Sequence, residues 1–337
     1  MHLIQTKKIH VLIAIIAAFA LLLSACGNNA ANNNSGANAS SPAPSAAPSA
    51  SSDAGTAGDA ETVTYHADNG DVQVPKNPQR IVDLTAFYTG FFLAIGVKPV
   101  GVLQNAMDNP YFEGKLDGVQ TLSDDATPEH VLALKPDLII AYTGTEGLDK
   151  LAEIAPVVAV EYGKRPYRDQ LLEFGKLTNK EAEAKAWVAQ WDQKINDLKP
   201  KVQAAVGDKT VSILNPYAKG LYAFGTFYGR GGEIIYGEFG LKAPAEFQKE
   251  VIDSGTGWAT ISMEKLPQFA GDIVFTCPWS GDTSDPKVVY DSAIWKSLPA
   301  VKAGNVFQLN PKADTYNDPV SLESQLDFIA NSLLSVK

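Results

Sequence analysis

Apolar residues recur at steps of four and three through Trp187, Trp191, Ile195, Leu198, Val202 and Ala205, while the positions between them are mostly Lys, Glu, Asp and Gln. That spacing draws one apolar stripe along a helix and predicts an element over 178–206. Thr178 and Glu181 have the spacing of a capping box, and Gly207 supplies the residue that often follows a helix end. At ~1.5 Å per residue such a helix is about 40 Å long, enough to span two lobes. Pro200 lacks an N–H and crowds the preceding turn, so a kink or a pair of shorter helices in one domain is the alternative.

On both sides of this stretch, short apolar runs alternate with helical ones, the pattern of α/β units. Strands are predicted at 72–74, 81–84, 100–103, 138–142 and 157–160, with helices at 90–95, 128–134, 148–154 and 167–176. Beyond the long helix, strands are predicted at 211–214, 221–224, 273–276 and 306–309, and a closing helix at 319–334. Both halves belong to one class. They also share an echo: Thr127-Pro128-Glu129 leads to Asp137 and the strand LIIAY, and Ser262-Met263-Glu264 leads to Asp272 and the strand IVFT. Each Thr or Ser can cap a short helix with the glutamate at its second position, and each Asp opens a buried strand. A glutamate near a helix N-terminus is ordinary; the matched pair marks two lobes of one design.

The N-terminus reads differently. Lys7 and Lys8 precede the apolar run Val11 to Leu23, and Leu23-Ser24-Ala25 supply small residues before Cys26, which together make an export signal over residues 1–25. The run is shorter than the ~20 residues of a spanning helix. Residues 26–60 are almost wholly Asn, Ala, Ser, Pro, Gly and Thr, a composition that buries too little apolar surface to order itself and predicts a spacer.

Composition narrows the chemistry. The formal net charge is −10, which argues against a nucleic-acid partner. Cys26 and Cys277 are the two cysteines, and only His66 and His130 lie outside the leader, so neither a disulfide framework nor a multi-histidine metal site is available. The sequence has no G-x-S-x-G elbow, P-loop, HExxH or EF-hand loop. Cys277 in CPWS is the one candidate nucleophile, for an exported thiol enzyme, and it has no histidine in its half of the chain. A buried wall residue is the expected role.

Binding is the stronger class. Tyr222, Phe224, Phe227 and Tyr228 and one of the four arginines, Arg230, crowd into a glycine-interrupted stretch that ends GRGG. Arginine offers a planar fork of donors, and Tyr and Trp give apolar area with a polar handle. Phe224 and Phe227 are expected in the core. Trp258 after Gly257 and Trp279 after Pro278 are expected nearby. In the first half Tyr142 is placed where a strand ends, as ligand residues of α/β sheets are, with Tyr88 and Tyr111 as further candidates. Lys164, Arg165 and Arg168 form a small basic group, either a solvated face or an anion site.

LSAC followed by Gly27 resembles the lipobox of bacterial lipoproteins, which implies lipid attached to Cys26 and a protein held outside the cell membrane. PQRIVDL, TPEHVLALKPDLIIAY, GRGGEIIYGEFGLK, GWATISMEKLPQFAGDIVF and WKSLPAVKAGNVFQL together resemble the iron-siderophore substrate-binding lipoproteins of ABC importers. The resemblance implies an α/β fold of two Rossmann-like lobes, 61–177 and 207–337, joined by one long α-helix, 178–206. It implies a cleft between the lobes, modest closure, and Glu129 and Glu264 docking onto an ABC permease. YGRGGE followed by GWA resembles the ferric hydroxamate binders, which places Tyr222, Tyr228 and Arg230 at the ligand; Tyr228 stands where those proteins commonly have tryptophan. TYNDPVSL adds Tyr316. Iron would be coordinated by the siderophore, with no cofactor and no protein metal site, and the chain would act as a monomer. Catecholate siderophores, cobalamin and haem are the alternative ligands on the same scaffold.

Overall fold

In the computed structural model, which describes residues 61–123, 126–278 and 284–337, buried runs such as LIIAY and VVAV sit in the middle of two five-stranded sheets. The first lobe contains β1 (Thr62–Ala67), β2 (Gly70–Pro75), β3 (Ile81–Asp83), α1 (Thr89–Ala94), β4 (Gly101–Leu103) and α2 (Gln104–Met107). It continues with β5 (Gln120–Leu122), α3 (Pro128–Ala133), β6 (Leu138–Tyr142), α4 (Leu148–Ala152), β7 (Val157–Val160) and α5 (Tyr167–Leu177). The sheet order is β5-β4-β3-β6-β7, all parallel. Helices on both faces are why β6 and β7 are continuously apolar rather than alternating. The β1–β2 hairpin covers the β7 edge: Asn69 donates to the Val157 carbonyl at 3.1 Å and accepts from the Ala159 N–H at 3.0 Å.

The connecting helix α6 runs over Glu181–Val206 and buries Trp187, Trp191, Ile195, Val202 and Val206, with Leu198 and Ala205 half-buried. It begins later than the capping-box reading places it. Thr178 belongs to the end of α5, where its hydroxyl donates back to the Phe174 carbonyl at 2.7 Å, and Asn179 turns the chain at φ 56°. The helix passes through Pro200 without ending. Pro200 and Asn196, whose carbonyl loses its donor, are both exposed, so water can take the missing bond.

The second lobe holds β8 (Val211–Tyr217), β9 (Gly220–Phe224), a π-helical segment Glu233–Glu238, α7 (Ala245–Phe247), a second π-type turn Gln248–Ile252 and β10 (Trp258–Ile261). It closes with α8 (Leu266–Phe269), β11 (Ile273–Thr276), α9 (Lys287–Tyr290), α10 (Ala293–Ser297), α11 (Pro299–Ala303), β12 (Val306–Gln308) and α12 (Pro319–Leu334). Its order, β10-β9-β8-β11-β12, repeats that of the first lobe, but β9 runs antiparallel to both β8 and β10. A hairpin at Tyr217–Gly220 thus replaces a helical crossover, and the two lobes are not copies.

The echo of acidic residues has a structural meaning in both sheets. Asp137, opening β6, accepts from the Gln79 and Arg80 N–H groups ahead of β3, at 2.7 and 2.8 Å. Asp272, opening β11, accepts from the Thr210 N–H and hydroxyl ahead of β8, at 2.8 and 2.9 Å. Glu129 is at the second position of α3, as its spacing predicts, whereas Glu264 lies in a turn two residues before α8. Both are exposed. Their carboxyls sit below the usual range, Glu129 through its own N–H and the Thr127 hydroxyl, Glu264 through the Ser262 hydroxyl and its own N–H.

Helix α12 and the loop before it return to the first lobe. Tyr316 donates to the Asn105 carbonyl at 2.8 Å, Tyr111 to Asp314 at 2.6 Å, and Asn109 to Ser321 at 3.1 Å. Near α6 a polar knot joins both lobes to the helix: Arg168 of α5 is bonded to Glu238 at 2.8 Å and to Asp192, and Tyr167 donates to Glu238 while accepting from Trp191 at 2.6 Å.

Candidate functional site

Two residues apart on a strand means the same face, so the register of β8, β9 and β10 decides where the aromatics of the second lobe point. Asn215 pairs with Tyr222, and Phe224 with Trp258, which puts Tyr217, Tyr222, Phe224 and Trp258 on one face. Tyr217 and Tyr222 stack with centroids 4.3 Å apart, and Trp258 meets Tyr222 edge-on at 6.0 Å. The Arg230 guanidinium lies 3.9 Å from the centroid of the Phe224 ring.

Arg230 is held there by backbone that resists alternatives. Gly229, Arg230 and Gly231 have φ of 71°, 59° and 78°, three consecutive left-handed residues. A non-glycine residue in that region costs on the order of 1 kcal/mol or more and persists where its surroundings impose it. Here the Arg230 N–H bonds the Asp314 carbonyl, and the guanidinium donates to the Tyr228 carbonyl at 2.5 Å. A Cβ on Gly229 would lie 2.3 Å from the Thr315 oxygen, and one on Gly232 1.8 Å from the Gly225 oxygen. Burial lowers the guanidinium pKa. It stays charged, because its ordinary value is far above neutrality.

The remaining tyrosines gather between the lobes, at the carboxyl ends of β3, β6 and β7. The Tyr142 hydroxyl accepts from the Phe87 N–H at 3.1 Å, and its ring meets Tyr88 at 5.6 Å and Tyr162 at 6.0 Å. Tyr162 reaches Tyr228 of the second lobe at 6.0 Å, and Phe87 reaches Tyr316 at 5.6 Å. Desolvation raises the pKa of Tyr88, Tyr142, Tyr162 and Tyr316, so their hydroxyls are neutral at physiological pH.

The sequence-predicted residues therefore form two groups: Tyr222, Trp258 and Arg230 on the β-face, and Tyr88, Tyr142, Tyr228 and Tyr316 between the lobes. Tyr228 joins the groups through its carbonyl. Tyr88 and Tyr316 are buried, and the Tyr316 hydroxyl is spent on the other lobe. Trp279 and Cys26 lie outside the described residues. Phe224 is buried as expected, but Phe227 is not core: it is 41% exposed. The basic group is no free anion site, since Lys164 and Arg165 converge on Asp68 at 2.8 and 2.7 Å and Arg168 serves the polar knot. Cys277 is buried, accepts from Asn215 at 2.9 Å, and has its thiol pushed up to about 12 by burial.

Two features escaped the sequence reading. Tyr162 follows β7 in the way Tyr142 ends β6, so the same strand-end argument would have found it. Glu233 opens the π-helical segment inside the apolar run GGEIIY and is buried. Its Oε1 accepts from the Gly229 N–H at 3.1 Å and from Asn317 at 2.9 Å. Burial pushes its pKa up from 4.5 to about 7, against the opposing effect of those bonds and of Arg230. Glu233 lines an inter-lobe cavity of about 420 Å³ together with Tyr88, Tyr162, Gln170, Phe227 and Asn317. Among the described residues no cluster of His, Cys, Asp and Glu could hold a metal ion, and no helix is long and apolar enough to cross a membrane.

With this geometry in view, comparisons with known proteins are specific. Residues 81–313 match the family model described as periplasmic binding protein. The iron(3+)-hydroxamate-binding protein FhuD of Bacillus subtilis (strain 168) is 44% identical over 326 residues, covering 94% of this chain and 96% of that protein. A B. subtilis crystal structure of the FhuD fold family, a component of a Fep/Fec-like ferrichrome ABC transporter, superposes with TM-score 0.75 over 81% of this chain and 100% of its own, at 44% identity. FhuD2 from Staphylococcus aureus with bound ferrioxamine B superposes with TM-score 0.70 at 32% identity, over 76% of this chain and 98% of that one. With the family model spanning both lobes and the connecting helix, the chain belongs to the periplasmic binding protein family.

Proposed function

We propose that this protein captures an Fe(III)–hydroxamate siderophore in the cleft between its lobes and delivers it to an ABC permease, held at the extracellular face of the membrane by lipid on Cys26. The observation that carries the ligand class is Arg230, fixed by a left-handed turn against Phe224 beside Tyr222 and Trp258. A ferric trihydroxamate presents an oxygen-rich iron centre on an organic scaffold. A rigid guanidinium suits those oxygens, and aromatic faces suit the scaffold. The siderophore supplies every ligand to iron, so the protein needs only hydrogen bonds and stacking.

The role is binding rather than catalysis. The relatives are binding proteins, and a buried thiol with a raised pKa is a poor nucleophile. Glu129 from the first lobe and Glu264 from the second, both exposed and ionised, are the surfaces offered to the permease.

Quenching of tryptophan fluorescence by ferric hydroxamates, ferric catecholates, haem and cobalamin tests the ligand class. Sub-micromolar binding of a hydroxamate is expected, and a catecholate bound in its place would overturn it. Arg230→Ala should weaken that binding by about 1.5–3 kcal/mol through loss of charge-assisted hydrogen bonds; unchanged affinity would remove Arg230 from the site.

A further inference from the structure

The inter-lobe cavity behind the tyrosine cluster contains polar atoms that the fold leaves unused. Glu233 Oε2, Asn317 Oδ1 and the side-chain amide of Gln170 are each buried without a hydrogen-bond partner among the described residues. All three residues line the same cavity. Gln170 comes from α5 of the first lobe and the other two from the second, so the group exists only while the lobes are together. Buried polar atoms without a partner are rare in native folds, and four of them on three residues around one cavity are more than a fold leaves idle by accident. The orientation of Asn317 is settled by its amide nitrogen, which donates to the Phe227 carbonyl and to Glu233 Oε1, both at 2.9 Å. Its free atom is thus an acceptor. Gln170 leaves both ends of its amide unpaired, so three acceptors, Glu233 Oε2, Asn317 Oδ1 and the Gln170 oxygen, and one donor, the Gln170 nitrogen, belong to residues of the cavity wall.

The two arginines on the cavity wall are already committed, Arg165 to Asp68 and Arg168 to Glu238 and Asp192. Glu233 remains as a buried carboxyl with one oxygen engaged twice and the other not at all. Around it stand the rings of Tyr88, Tyr162 and Phe227. Three acceptors, one of them a carboxylate, walled by aromatic faces, match the three N–H donors and the positive charge of a primary ammonium. At about 420 Å³ the cavity is at the small end of ligand sites, suited to a side arm rather than a whole chelate.

We infer that this cavity is a second compartment of the ligand site, which takes an alkylammonium arm of the bound chelate, with Glu233 as the residue that selects for it. The inference rests on the hydroxamate reading above. It adds a preference among hydroxamates: linear chelates ending in an amine over the same chelates with that amine blocked.

The experiment compares ferrioxamine B, which ends in a primary ammonium, with its N-acetylated form, which has the same iron centre and a neutral end, and with ferrichrome, which has no amine arm. Affinities are measured at pH 8, where Glu233 is ionised. For the full-length protein the ammonium form should bind roughly tenfold more tightly than the acetylated form, the scale of one charge-assisted interaction. Glu233→Gln should bring the two to within about twofold of each other. Gln170→Leu, which alters the opposite wall without touching the GRGG loop, should narrow the ratio as well and stands in if Glu233→Gln does not fold. Equal affinities in the wild-type protein, or a ratio that survives both substitutions, would overturn the inference and leave the hydroxamate reading intact. Failure of all three chelates to bind would overturn the hydroxamate reading itself.

Discussion

Glu233 also makes the stability of the protein depend on pH in a way that one substitution isolates. In the unfolded chain its carboxyl loses its proton near 4.5; in the folded protein, burial holds the proton up to about 7. Below 4.5 both states are protonated and the residue contributes no pH dependence. Between 4.5 and about 7 the folded state binds more protons than the unfolded one, so stability falls as pH rises. Above about 7 both are ionised and the loss is complete. At ~1.36 kcal/mol per pKa unit the loss is roughly 3 kcal/mol. Glu233→Gln removes the ionisation while keeping an oxygen where Oε1 accepts from Gly229 and Asn317. Asp83 and Asp318, whose pKa values burial raises to about 6, titrate with the same sign but are present in both proteins and cancel in the comparison. Urea unfolding of wild type and variant at pH 5, 6, 7 and 8 is the assay. The variant should gain roughly 2.5 kcal/mol on the wild type between pH 5 and pH 8, whatever its absolute stability, because the first part of the titration lies below pH 5. A constant gap across that range would refute the raised pKa and, with it, the view that burial of the carboxylate outweighs its bonds to Gly229 and Asn317.

Other consequences follow from single contacts. Gly232 has ordinary helical φ, so Gly232→Ala meets no backbone strain, only the Gly225 oxygen 1.8 Å from the new Cβ. It should cost about 1–3 kcal/mol and weaken siderophore binding, and native values in a denaturation and quenching experiment would show that the 225–232 loop yields easily. Arg168→Met leaves Glu238 without its guanidinium in a half-buried knot and should destabilise by about 2–3 kcal/mol, less than a fully buried pair, with faster amide exchange in α5 and 233–238 as the readout. Glu129→Ala combined with Glu264→Ala should abolish siderophore uptake by cells yet leave affinity for the purified protein unchanged; uptake at the wild-type rate would remove both from docking.

Local pattern was enough for much of this protein. The stripe from Trp187 to Val202 specified a long amphipathic helix, β6, β7, β11 and α12 were bounded by their own composition, and the paired Asp137 and Asp272 announced two related sheets. These features depend on residues within a few positions of one another, and backbone geometry converts such spacing directly into faces. What only the tertiary structure decided involves partners far apart in the chain. Whether Thr178 caps α6 or closes α5 depended on where the chain turned. The β8–β9 hairpin is local, but the pairing of β9 with β10 crosses residues 225–257, and that register is what brings Trp258 beside Tyr222. Lys164 and Arg165 seemed available to an anion until Asp68 was folded against them. Nothing in its local sequence set Glu233 apart, and it became a buried carboxyl only when Asn317 and the glycine turn closed over it. Sequence spacing fixes which side chains share a face; only the packed fold determines which of them lose water, and that desolvation sets their chemistry.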